Sequence, residues 1–363
     1  MRAAVLGTGL IGGSVALAAR TWLPDWHVSG YDPDPAARAG ALERGAVHDA
    51  FDDPATAVAG ADVVFIAIPV DRIPRACDVL SGMVSESAVV TDVGSAKGEV
   101  VARGEAALGT RFVGGHPMAG SERHGIEAAD ARLFEDAWWV LTPTANTTAD
   151  AYSTVADFVT RVRAKPVAMA PDAHDTLVAS LSHVPQLAAS ALVGVAVAAE
   201  DKDTLLGLAG RGFRDVTRIA ASPPDMWISI LKTNRDAVLK ALEGFEHRLS
   251  DIEAMVYEQR WDELRGLLDE ARSARLELFA KPDYGGDPVA LSLLIPDRPG
   301  VLAEVTTAAG RLGANIEDLR IIHSTEGGRG RLELVVTGST AADGLSAALD
   351  ALDYRVDRGV PEQ

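Results

Sequence analysis

Ala3-Ala4-Val5-Leu6-Gly7-Thr8-Gly9-Leu10-Ile11-Gly12-Gly13-Ser14-Val15-Ala16-Leu17-Ala18-Ala19-Arg20 lies at the start of the chain and decides its fold. Four apolar residues read as a buried strand, and a glycine turn carries that strand directly into a small-residue helix. A second strand, His27–Tyr31, ends at Asp32, 20 residues beyond Gly12. Strand, G-x-G-x-x-G, helix, strand and acid at this spacing form a dinucleotide-binding unit. Gly7 permits the tight turn, Gly9 lets a pyrophosphate approach the backbone, and Gly12 lets helix and strand pack closely. Leu10 and Ile11 sit inside the turn, where helix N–H groups face the phosphates. A carboxylate at Asp32 accepts from a ribose diol and repels a 2′-phosphate, and Pro33-Asp34-Pro35 offers no arginine to receive one. NAD is therefore expected over NADP.

Outward from this unit the doubly wound pattern continues. Asp62–Ile68 is an almost wholly apolar strand, as expected for one buried on both faces, and ends in Pro69-Val70-Asp71. Ala88–Asp92 is another strand, with Val93-Gly94-Ser95-Ala96-Lys97-Gly98 as the loop at its carboxyl end. Ligands of open parallel sheets bind along that edge, so Pro69 and Gly94 join the expected cofactor contacts. Ser95 either donates to a substrate oxygen near the nicotinamide or caps a helix. Lys97 reads as a solvated first-turn charge. Trp138–Thr142 and Lys165–Met169 are expected to close the sheet.

Gly114-Gly115-His116-Pro117-Met118-Ala119-Gly120-Ser121-Glu122 sets one histidine between paired glycines and a proline. Glycines allow a tight turn and close ligand approach, and the proline stiffens the exit. A neutral imidazole in such a loop can take a proton near pH 7 beside the cofactor.

Beyond about residue 170 the pattern turns helical. Val238, Leu242, Phe245, Leu249, Ile252 and Val256 recur at spacings of 4 and 3, an apolar seam read as core and dimer interface. Trp261, Leu264, Leu268 and Ala271 begin a similar run. His174-Asp175 and Ser182-His183-Val184-Pro185-Gln186 fall on one helical region interrupted near Pro185, a spacing poorly suited to a metal, and no metal is expected. Gly207–Arg218 brings glycines and arginines together, suited either to an anion site or to a solvated surface.

The composition narrows the partners. With 34 Lys+Arg against 52 Asp+Glu, the 363-residue chain carries a net charge of -18, which opposes nucleic acid and anionic membranes. The single cysteine, Cys77, excludes an intrachain disulfide. No apolar run reaches the roughly 20 residues of a membrane span, and the N-terminus enters a strand at once, so the cytoplasm is the expected compartment.

After the breaker-rich stretch Lys281–Pro288 come strand Val289–Ile295, Asp297-Arg298-Pro299-Gly300-Val301-Leu302 opening a helix, and Gly313-Ala314-Asn315-Ile316 starting the next strand. Strand Arg331–Thr337 and helix Ala341–Leu352 complete a small α+β sandwich. The overall class is α/β: a Rossmann-type domain (1–169), an all-helical dimerisation domain (170–282) and an α+β domain (288–363).

These motifs resemble the prephenate and arogenate dehydrogenases of tyrosine biosynthesis. The resemblance rests on the glycine turn, Asp92-Val93-Gly94-Ser95-Ala96-Lys97, Gly-Gly-His-Pro-Met-Ala-Gly-Ser-Glu, Ser182-His183-Val184-Pro185 and Asp215-Val216-Thr217-Arg218-Ile219-Ala220. It implies NAD-dependent oxidative decarboxylation of prephenate to 4-hydroxyphenylpyruvate by a homodimer. His116 would be the base on the ring hydroxyl, Ser95 its neighbour, and Arg218 the holder of a substrate carboxylate. Glu122 and Asp215 would pair around that arginine, with Ser121, Ser182 and His183 lining the pocket. Gln186 stands where a histidine is common; glutamine cannot be a cation, which leaves open the alternative of an arogenate or dual-specificity cyclohexadienyl dehydrogenase. The C-terminal region resembles the ACT domain, implying an amino-acid effector, with tyrosine favoured and Asp297, Gly300, Asn315 and Ile316 as its contacts. The non-enzyme alternative is a sensor of NAD and amino acids.

Overall fold

The computed structural model describes residues 1–120, 123–199, 201–279, 288–296, 301–312, 314, 316–323 and 329–359. Two compact units divide at Glu253/Ala254.

The first unit is built on an eight-stranded sheet in the order β3-β2-β1-β4-β5-β6-β7-β8. Its strands are β1 (Arg2–Leu6), β2 (His27–Tyr31), β3 (Asp49–Phe51), β4 (Val63–Ile66), β5 (Val89–Asp92), β6 (Phe112–Pro117), β7 (Trp138–Thr142) and β8 (Lys165–Ala168). β1 to β6 run parallel, β7 is antiparallel to β6, and β8 follows β7. Leu6 lies level with both Tyr31 and Ile66, and Ile66 with Asp92, so four strand ends share one carboxyl edge. The order reverses at β1, which opens the ligand crevice there.

Alternate residues of these strands feed opposite cores. Val5, Val28 and Phe65 face a cluster with Trp139 and Phe158, in which the Phe65 and Phe158 rings lie 4.5 Å apart. Leu6, Val64, Ile66 and Val90 face the other cluster, with Ile73 and Phe112. Burial on both sides explains the unbroken apolar runs, each large side chain contributing about 1.5–3 kcal/mol.

The loop expected around His116 is instead the strand β6, which pairs Gly115 with Leu141 and His116 with Val140. Its glycines answer to packing. A Cβ at Gly114 would stand 2.3 Å from the Thr142 hydroxyl, and one at Gly115 would stand 2.7 Å from the Asp92 carbonyl. Met118 to Gly120 leave the strand, while Ser121 and Glu122 lie outside the described residues.

Pro171–Val178, a π-turn at Ala179–His183 and Val184–Val197 form one helical run. The expected break near Pro185 falls at the π-turn, and Pro185 sits in the following first turn, where a missing N–H is harmless. With 27 residues and a hydropathy of 1.4, this run is long and apolar enough to cross a membrane, which a search for unbroken apolar residues does not reveal. Its buried residues include His174, Asp175, His183 and Gln186, all polar, so that face belongs to the protein interior. Of the seam on helix Arg235–Tyr257, only Val238 is buried; Phe245, Leu249 and Val256 are exposed. The expectation of core therefore holds for Val238 and not for Phe245, Leu249 or Val256, which are exposed among the described residues.

The second unit holds helix Trp261–Phe279 and a four-stranded sheet of β9 (Pro288–Pro296), β10 (Ile316–His323), β11 (Arg329–Thr337) and β12 (Val356–Gly359). The order β10-β11-β9-β12 is antiparallel throughout. Helices Val301–Arg311 and Ser339–Asp350 complete a split βαβ pattern. Leu291, Leu293, Leu332 and Leu334 alternate inward against Val305, Leu345 and Leu349. The edge strand β12 has no clear sequence signal, since it is short and largely exposed. Ile316 opens β10 against this core; Asp297, Gly300 and Asn315 lie outside the described residues.

Candidate active site

The glycine turn has the geometry a dinucleotide needs. Gly7 adopts φ +95, and a Cβ there would lie 2.3 Å from the Ala67 carbonyl oxygen. One at Gly12 would lie 1.9 Å from the Gly7 oxygen, whereas Gly9 faces nothing within 4 Å. The turn is thus closed toward the protein and open at Gly9, where helix Leu10–Trp22 begins and Ile11 follows. Asp32, beyond the end of β2, accepts from the Thr8 N–H at 2.8 Å and the Asp34 N–H at 3.0 Å. Pro33-Asp34-Pro35 offer no arginine, and the nearest one along the chain is turned to the backbone. Arg38, one turn into the next helix, donates to the Asp32 and Pro33 carbonyls at 2.7 and 3.1 Å. Pro69 and Gly94 follow β4 and β5 on the same edge.

Asp92 ends β5 with no exposed surface and organises the neighbouring loop and strand. One oxygen accepts from the Gly94 N–H at 2.8 Å, and the other from the Gly115 N–H at 3.1 Å. Ser95 and His116 therefore each follow a residue anchored to the same carboxylate. Lys97 is wholly buried rather than solvated. Its ammonium donates to Asp92 and, at 2.8 Å, to the Gly115 carbonyl. Burial pulls its pKa below the usual lysine range despite the attraction of Asp92.

His116 meets the helical region through a chain of short contacts. Its Nδ1 lies 2.8 Å from His174 Nε2, and His174 Nδ1 lies 2.8 Å from Asp175 Oδ1. Asp175 also accepts the backbone N–H groups of Lys97 and Gly98, each at 2.7 Å, at the start of helix Gly98–Leu108. Burial disfavours that carboxylate's charge, yet the bonds from His174, Gly98 and Lys97 hold its pKa below the usual range. His116 is pushed well below an ordinary histidine by burial, then by His174, Lys97 and His183. A neutral imidazole at the sheet's ligand edge can act as a base.

His183 is buried and lowered to about 4 by desolvation. Asn234 spans it, with Nδ2 at 3.3 Å from His183 Nδ1 and donating to the Asp175 carbonyl at 2.9 Å. Among the described residues neither His183 Nε2 nor Gln186 Oε1, both buried, has a hydrogen-bond partner, and both are polar groups suited to a ligand. Ser95 and Ser182 are partly exposed. Asp215 and Arg218 are exposed on adjacent short helical turns, with Asp215 at 3.5 Å from Arg211. The roles of Asp92, Lys97 and Asp175 around His116 are not legible in their motifs, because the fold alone brings them together, and Asn234 beside His183 carries no sequence signal at all.

Residues 15–168 match the nucleotide-binding domain of prephenate dehydrogenase, and residues 170–270 match its dimerization domain. A prephenate dehydrogenase from Bacillus subtilis is 34% identical over 334 residues, covering 90% of each chain. The crystal structure of A. aeolicus prephenate dehydrogenase, in complex with hydroxyphenyl propionate and NAD+, superposes with a TM-score of 0.73 at 33% identity. That match covers 77% of this chain and 98% of the other. Synechocystis arogenate dehydrogenase matches with a TM-score of 0.67 at 30% identity, over 77% and 100% of the two chains.

Proposed function

The chain belongs to the prephenate dehydrogenase family, and on that footing we propose that it catalyses the NAD-dependent oxidative decarboxylation of prephenate to 4-hydroxyphenylpyruvate in tyrosine biosynthesis. The observation that carries this reading is the common anchoring of Gly94 and Gly115 by Asp92, which sets Ser95 and His116 at one edge. NAD is held by Gly7, Gly9, Leu10, Ile11 and Gly12, with Asp32 toward the ribose and Pro69 and Gly94 beside it; when bound it supplies the hydride acceptor. His116 takes the proton of the ring hydroxyl, and Ser95 orients that hydroxyl. Arg218 holds a substrate carboxylate, with Glu122 and Asp215 around it, and Ser121, Ser182, His183 and Gln186 line the pocket. His183 Nε2 and Gln186 Oε1, buried and without a partner among the described residues, are the polar groups a substrate would satisfy. Incubation with NAD and either prephenate or arogenate, followed by NADH absorbance, tests the activity and its specificity. NADH formed from arogenate alone would replace the reading with arogenate dehydrogenase, which the Gln186 amide permits.

The proposed domains are 1–169, 170–282 and 288–363, and the exposed seam of Phe245, Leu249 and Val256 supports homodimerisation. The split βαβ unit supports an ACT-like regulatory role with tyrosine as effector. Titration with tyrosine, read by rate and melting temperature, tests it; no change in either would leave an oligomer-forming role.

A further inference from the structure

His174 and Asp175 have no part in the reading above, yet both are buried against His116. Their contacts fix hydrogen positions by elimination. Asp175 is acceptor-only and takes its third short contact from His174 Nδ1, so that nitrogen is the donor. In a neutral His174 the other nitrogen, Nε2, then carries only a lone pair. The 2.8 Å contact to His116 therefore requires His116 Nδ1 to donate. The lone pair of His116 is left on Nε2.

We propose that His174 and Asp175 are positioning residues that hold His116 in its Nδ1–H form, with Nε2 as the proton acceptor of the reaction. The proposal rests on His116 as base. When Nε2 takes the hydroxyl proton, the imidazolium charge on His116 is met by His174 Nε2, and the His174 Nδ1–H continues to donate to Asp175. The proton stays on His116 and none passes to the carboxylate. Asp175 is itself fixed by the Lys97 and Gly98 N–H groups, so the chain ends on rigid backbone. Metal-bound histidines are oriented by the same type of partner on their second nitrogen.

Among the described residues the titratable groups facing His116 are His174 and Asp175 on one helix, His183 on the π-turn, Asp92 at the end of β5 and Lys97 at the start of helix Gly98–Leu108. The test replaces His174, in the full chain, by leucine or glutamine. Leucine removes the acceptor, while the glutamine carbonyl can still accept from His116 Nδ1–H. H174L is expected to lower kcat at least about tenfold, with KM and NAD affinity little changed, and H174Q to recover part of the loss. Nitrogen NMR of the histidine-labelled protein, assigned with H116N, reads the tautomer without substrate: wild type shows the proton on Nδ1, and H174L shows Nε2–H populated. Wild-type His116 protonated on Nε2, or an H174L kcat equal to wild type, would overturn the proposal. Absence of prephenate turnover in a wild type that shows the Nδ1–H form would instead defeat the proposed function and leave the tautomer assignment standing.

Discussion

Lys97 and Asp92 form an ion pair in which neither side chain has any exposed surface. Taking two charges out of water is costly, and here the remaining valences are met by Gly94 and Gly115. Lys97→Met leaves Asp92 charged and buried, so it is expected to destabilise the protein by about 3–5 kcal/mol. Adding Asp92→Asn should recover part of that loss. Urea unfolding of the single and double variants checks both; equal stability of wild type and Lys97→Met would show that the pair contributes nothing.

His116→Asn keeps a side chain of similar polarity and loses the base. Turnover should fall by about 10²–10⁴-fold while NAD binding, followed by fluorescence titration, is unchanged. A variant that turns over at the wild-type rate would remove His116 from the chemistry.

His183, which is buried, and His116, which is partly so, give a signed pH dependence. His116 and His183 have folded pKa values below their unfolded ones, so between the two the unfolded chain binds more protons and stability rises with pH. The stability is complete above about pH 6.5 and is lost as pH falls toward 4, where His183 titrates. Melting temperature should drop across that window, and less steeply in His183→Gln. The same depression keeps His116 neutral, so the acid limb of kcat/KM should lie below the ordinary histidine value.

Arg218→Gln removes the guanidinium proposed to hold a substrate carboxylate. A charged hydrogen bond of about 1.5–3 kcal/mol corresponds to a rise in the KM for prephenate of roughly 10–100-fold, with NAD affinity unaffected. An unchanged KM would place the anion site elsewhere.

Gly12→Ala tests the turn. Its Cβ would stand 1.9 Å from backbone oxygen, which no side-chain rotation relieves. We expect a loss of about 1–3 kcal/mol in stability and weaker NAD binding, measured by thermal unfolding and titration.

The strands β1 and β4 are legible in the sequence because burial on both faces demands unbroken apolar residues, while β2 and β5 are legible from their place in the repeating strand–helix pattern and the acids that end them. β3 is not, since Asp49–Phe51 is too short to carry a pattern. β6 is hidden for a different reason: Gly114, Gly115 and Pro117 imitate a turn, although the glycines serve close packing against Thr142 and Asp92. His116 and Ser95 stand out through their motifs. Lys97 does not, because nothing local distinguishes a lysine over solvent from one pointing at Asp92. His174-Asp175 is visible as a pair, but its role depends on contact with a residue 58 positions away.

The π-turn at Ala179–His183 has a consequence for which changes of chain length the protein tolerates. Each residue of an α-helix turns the chain by about 100°, and the wider π-turn takes up one residue more than an α-turn. A deletion inside it would therefore regularise the helix with little change of facing, whereas a deletion in the α-helical stretch between His174 and that turn would swing everything after it by that angle. Gln186 would rotate out of the interior while His174 stayed in place, even though neither had been substituted. The register of that helix is thus as much a determinant of what the protein accepts as the side chains it carries.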